Sequence, residues 1–129
     1  MSDLAPSSEL SVDEARAGIP VADATLIEQW GAVEDAARVV ALLAGRPAPP
    51  EDTAAVARIG LLARSDGGRS RPAVYALGEL VATMRAGLDA LLAAHGTSAN
   101  PQAAAYRLWN EYERGRAQVL AEAEAALSF

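Results

Sequence analysis

The chain has no cysteine and no lysine; all 11 of its basic residues are arginine. Without cysteine there is no disulfide framework, no cysteine zinc site and no iron–sulfur cluster. Without lysine there is no Schiff-base lysine and no P-loop lysine. Histidine occurs once, at His95. One histidine cannot supply the Glu-x-x-His pairs of a di-iron bundle, and with no cysteine it leaves no Cys–His pair. Aromatics make up 5% of the chain, and no apolar run approaches the ~20 residues that span a bilayer. The longest, at 39–44, has six residues. The first residues, MSDLAPSSELS, have neither a positive n-region nor an apolar h-region. The sequence therefore predicts a cytoplasmic protein with no signal peptide and no membrane partner.

What is present is alanine. Hydrophobic residues make up 51% of the 129 positions, but 31 of those 66 residues are Ala, leaving 35 larger ones for a core. The length fits one domain. Net charge is −6, which repels phosphate backbones and anionic lipid and disfavours nucleic acid as a partner. An arginine-only, alanine-rich composition is what a GC-rich bacterial genome produces.

Alanine is the best helix former, and no window alternates with period two, so the predicted class is all-α. Residues 1–10 read as a flexible tail and 11–129 as the folded domain. Ser11 and Glu14 form a capping box opening a short helix that Gly18 ends. The next helix runs from Pro20–Val21 to Ala44, with Leu26, Trp30, Val33, Ala37, Val40 and Ala44 in one stripe, and Gly45 and Pro47 stop it. A third begins near Pro50–Asp52 and runs to about Arg64, with Val56, Ile59 and Leu62 inward. Ser65–Arg71 reads as a polar loop. Pro72 then opens a fourth helix reaching His95, with Val74, Leu77, Val81, Met84, Leu88 and Leu91 inward. Asn100 as N-cap and Pro101 at the first helical position start the fifth, which carries Ala105, Leu108, Tyr112, Gly115, Val119 and Ala126 on one face and ends near Leu127. Together these predict a single antiparallel helical bundle of four main helices plus a short N-terminal one. Glycines fall inside the predicted helices at Gly31, Gly60, Gly78, Gly87 and Gly115. They read as sites of close helix approach, with Gly78, Ala82 and Ala86 forming a smooth face, or as the drift of a GC-rich genome.

The catalytic inventory is nearly empty. No nucleotide-binding, metalloprotease or nucleophile-elbow motif occurs. Neighbouring carboxylates such as Glu34–Asp35 and Glu51–Asp52 point to different sides of a helix and read as solvated faces, not as an acid–base dyad. His95 reads as a C-terminal helix residue. No catalytic residue, metal ligand or cofactor is expected, and an enzyme is the least favoured class.

Two surfaces stand out. Arg64, Arg69 and Arg71 flank two glycines ahead of a predicted helix start, a composition that holds an anion or an acidic partner. The plainer reading is a solvated loop paired with Asp66 and nearby acids. On the last helix Tyr106, Trp109, Arg116 and Leu120 form a flank beside the main stripe, with the composition of a partner interface. The plainer reading there is a wide core face packed on Trp30. The expected function is that of a non-enzymatic interaction protein (accessory subunit, adaptor or assembly factor) working through helix faces on another protein or a second copy. The alternatives are a small-ligand or anion-binding regulatory domain, using the arginine loop or the bundle interior, and a nucleic-acid-binding regulator.

Overall fold

The computed structural model describes residues 21–65, 67–94 and 100–128, and side chains from Leu26 onward. The expected tail at 1–10, the short helix after Ser11 and His95 lie outside these residues. Among the described residues the chain is all-α, with four helices and no strand: α1 (Val21–Leu43), α2 (Thr53–Ala63), α3 (Gly67–Ala94) and α4 (Pro101–Leu127). None is long and apolar enough to cross a membrane.

The helix ends follow from local chemistry. At the end of α1, Gly45 adopts φ +75°, a left-handed conformation that glycine takes without a Cβ clash. Its N–H donates to the Leu42 carbonyl and that of Arg46 to the Ala41 carbonyl, the paired bonds of a Schellman stop. Asp52 caps α2, its Oδ1 accepting from the Ala55 N–H at 3.1 Å. Asn100 caps α4 in the same way, accepting from the Gln102 N–H at 3.0 Å, with Pro101 next.

The polar stretch before Pro72 departs from expectation. It is not a loop up to Arg71, since α3 already begins at Gly67 and holds Pro72 within it. Proline's fixed φ is helical, and the only bond it removes would run back into the first turn of the helix. Ser70 is buried and donates its hydroxyl to the Gly67 carbonyl at 3.3 Å, so packing overrides the weak helix propensity of the two glycines.

Helices α2 and α3 each pack against both α1 and α4, and the most extensive contact joins α3 to α4. The core gathers Trp30, Val33 and Val40 from α1, Ile59 and Leu62 from α2, Leu77 and Met84 from α3, and Val119 from α4. Eight of its 22 buried hydrophobic residues are alanine. The interior is therefore closely spaced helices more than interlocking large side chains.

The α3–α4 seam shows how the glycines act. A Cβ placed on Gly87 would lie 2.6 Å from Leu108 Cδ1, and one on Gly115 would lie 2.5 Å from Leu80 Cδ1. Each glycine makes room for a leucine of the other helix, and along the seam positions rise on α3 as they fall on α4. This corrects the expected inward stripe of α3. Leu80 is buried in the space that Gly115 leaves, whereas Val74 is exposed. Gly78, Ala82 and Ala86 are also exposed, so that smooth face is not a contact between these helices. A Cβ on Gly78 meets nothing within 4 Å. Gly78→Ala should therefore raise stability by up to about 1 kcal/mol through helix propensity alone, read from the denaturation midpoint. A loss would mean that another surface needs the glycine.

Candidate functional site

Two tryptophans organise one side of the molecule. Trp30 on α1 and Trp109 on α4 are both buried, at 2% and 5% exposure. The placing of Trp109 on a partner-facing flank is therefore corrected: the indole belongs to the core. The α4 face is wide enough to turn both Leu108 and Trp109 inward, and Trp109 meets Tyr112 with ring centroids 5.1 Å apart. Of the other residues placed on that flank, Tyr106 is exposed and Leu120 is partly buried against the core. Arg116 is drawn into a cleft between helices.

Each indole lies under an arginine. The Arg46 guanidinium sits 5.0 Å from the Trp109 ring centroid and 5.7 Å from that of Tyr106. Arg116 sits 5.8 Å from the Trp30 ring. A guanidinium over an aromatic face is attracted by the ring quadrupole and keeps its donors free in the ring plane. Both indole N–H groups, and Nε of Arg46, are buried without an acceptor among the described residues. The sequence reading passed over Arg46. Its signal was its place directly after the helix-stopping Gly45, where the chain turns back toward α4.

Arg116 also donates to Asp52 Oδ2. One carboxylate thus does two jobs: Oδ1 caps α2 while Oδ2 ties that helix to α4. The cap hydrogen bond from Ala55 and then the Arg116 partner hold the Asp52 carboxyl below its ordinary pKa of 3.8. A group whose pKa is lowered by folding adds stability above its unfolded pKa and loses it as pH falls through the folded value. Asp52→Asn should therefore lower the melting temperature at neutral pH. The deficit should begin to shrink as the pH drops below about 4, where the unfolded chain's carboxyl takes up a proton, and vanish only below the lower pKa of the folded one. An equal deficit at every pH would show that charge plays no part. Burial pushes the Tyr112 phenol above its ordinary pKa, against the opposing pull of Arg116.

Between α1, the proline-containing link that joins α1 to α2 (residues 44–52) and α4 lies an open cleft of about 510 Å³. Glu34 and Arg38 enter from α1, Glu51 and Asp52 from the link, and Trp109, Tyr112, Glu113 and Arg116 from α4. Arg38 is held by Asp35 on its own helix, at 3.0 Å. The acidic neighbours read from sequence as solvated faces split here, because Glu34 turns partly inward while Asp35 stays exposed. Among the described residues no group of His, Asp or Glu is arranged to hold a metal ion.

The arginine trio is not gathered at one point. Arg64 caps the end of α2 and donates from Nη1 to the Gly60 carbonyl at 3.0 Å, whereas Arg69 and Arg71 are exposed in the first turns of α3. Compared with protein-family models, with curated proteins and with solved structures, the chain matches none.

Proposed function

We propose that this chain is a non-enzymatic interaction protein: a single antiparallel bundle that acts through its helix faces on another protein or on a second copy. The observation that carries this reading is where the large apolar side chains lie. Leu42 on α1, Leu61 on α2, and Tyr75 and Leu92 on α3 are all more than half exposed, while alanine fills much of the core. Large apolar groups left outside a small core give an assembling protein surface to bury. The antiparallel arrangement is supported by the α3–α4 seam. It is also supported by two α1–α4 contacts running in opposite order, Trp30 with Arg116 and Ala44 with Gln102. Sedimentation equilibrium tests the reading. The expected result is a mass above 13.3 kDa, or a stoichiometric partner retained from the natural source through purification. A strict monomer that retains no partner overturns it.

A second reading, an anion-binding regulatory domain, is favoured by one observation. The early start of α3 sets Arg69 and Arg71 beside the N-terminal end of a 28-residue helix, where the helix dipole also attracts anions. Inorganic phosphate should then raise the melting temperature of the natural chain and leave an Arg69→Gln/Arg71→Gln variant unchanged. No shift in either argues against it.

A further inference from the structure

We propose that α3 docks antiparallel on α3 of a second copy of this chain, about a two-fold axis level with residue 87. The proposal rests on the interaction reading above and gives that reading its surface and its partner. Leu77, Leu80, Met84 and Leu91 turn from α3 into the core. The side turned away from them carries a second row, Ala82, Arg85, Asp89 and Leu92, every member exposed. Its spacing of three, four and three residues is that of a seam between two helices, yet among the described residues no helix covers it.

The row is complementary to itself. In a two-fold contact, residue i meets j and j meets i. Setting Arg85 opposite Asp89 of the second copy also sets Asp89 opposite Arg85 of that copy. The same register places Leu92 opposite Ala82 at both ends, so each exposed leucine meets a small residue. A parallel pairing would instead set arginine on arginine and aspartate on aspartate. Within one chain both charges await a partner. Arg85 and Asp89 stand one turn apart, yet neither makes a hydrogen bond or ion pair among the described residues. Cation before anion is the poorer order for a pair along one helix. Leu92 is 57% exposed, and burial against the second copy removes that apolar area from water. Arg85 and Asp89 also border a groove of about 190 Å³ whose apolar walls are Ala36 of α1 and Val81 and Leu88 of α3. The apolar surface beside the row thus continues from α3 onto α1.

The test follows the full chain by sedimentation over a series of concentrations. The natural chain should form a dimer. Arg85→Glu sets an acid against Asp89 of the copy, and Asp89→Arg sets a cation against Arg85 of the copy. Each variant alone should dimerise roughly tenfold more weakly, because two exposed attractive contacts become repulsive. An equimolar mixture of the two should recover the dimer, now between unlike chains, since every contact again joins opposite charges. Circular dichroism confirms that each variant folds. Oxidative cross-linking reads the register in a chain that has no cysteine of its own. Ala82→Cys and Leu92→Cys variants should cross-link when mixed and not separately, because like positions of the two copies lie about 15 Å apart along the helix. Cross-linking of either variant alone as readily as the mixture overturns the antiparallel register. A dimer indifferent to both charge reversals, or a mixture that stays monomeric, overturns the α3 contact while the interaction reading stands. A monomer that retains a different protein likewise overturns the second copy and leaves that reading in place. A strict monomer with no partner overturns both.

Discussion

Trp30→Ala should cost about 3–5 kcal/mol, the largest loss of any single truncation in the molecule. Trp30 is among the largest fully buried side chains, and it is one of the few large residues in a core rich in alanine. Its indole faces α2 across a small cavity lined by Ile27, Val56 and Ile59, and it lies under Arg116 from α4. Truncation opens a void that rigid helix backbones cannot close, and it also removes the ring beneath a guanidinium that anchors Asp52. Against a typical total of about 5–15 kcal/mol, this loss brings the domain near unfolding. Trp30→Phe should lose far less, because the indole N–H has no acceptor to forfeit. Urea denaturation of the three proteins measures the series. A loss under about 1 kcal/mol for Trp30→Ala would show that the site collapses freely.

The second large effect is at Gly87. Gly87→Val should destabilise by about 2–3 kcal/mol, despite valine's better helix propensity. The added Cβ would lie 2.6 and 2.7 Å from the two Cδ atoms of Leu108 and 3.1 Å from its Cγ, so turning one methyl aside does not clear it. Leu108 is itself buried, so its whole branched end has to leave the seam to clear the new side chain. At Gly115 only Leu80 Cδ1 is close, and a rotamer change relieves most of the clash, so Gly115→Ala should be the milder of the two seam substitutions. The exposed Gly78 serves as the internal control. If Gly87→Val proves neutral, α3 and α4 are not held together by a leucine seated on a glycine.

These contrasts mark where the sequence could be read and where it could not. The helix boundaries were legible because short-range rules set them: Gly45 after α1, Asp52 before α2, and Asn100–Pro101 before α4. The stripes of α1 and α4 were legible because a 3.6-residue period needs no knowledge of the partner helix. The start of α3 was not, since Pro72 and two glycines signal a loop locally and only the burial of Ser70 outweighs them. The cleft was not legible either. Its charged members lie in three segments up to 82 positions apart in the chain, and each taken alone looks like an ordinary surface charge.

By itself the sequence determined the helical class, the places where three of the helices are capped or stopped, and the chemistry that cysteine and lysine cannot perform here. These follow from residue type and near neighbours. Only the tertiary structure decided which glycines matter, that Trp109 is core and not surface, and that Arg46 and Arg116 cover the two indoles. It also decided that Glu34, Glu51 and Glu113 share one opening. Each of these depends on which helix faces which, and in an alanine-rich bundle that is set by the close approach of whole helices, a quantity no local pattern carries.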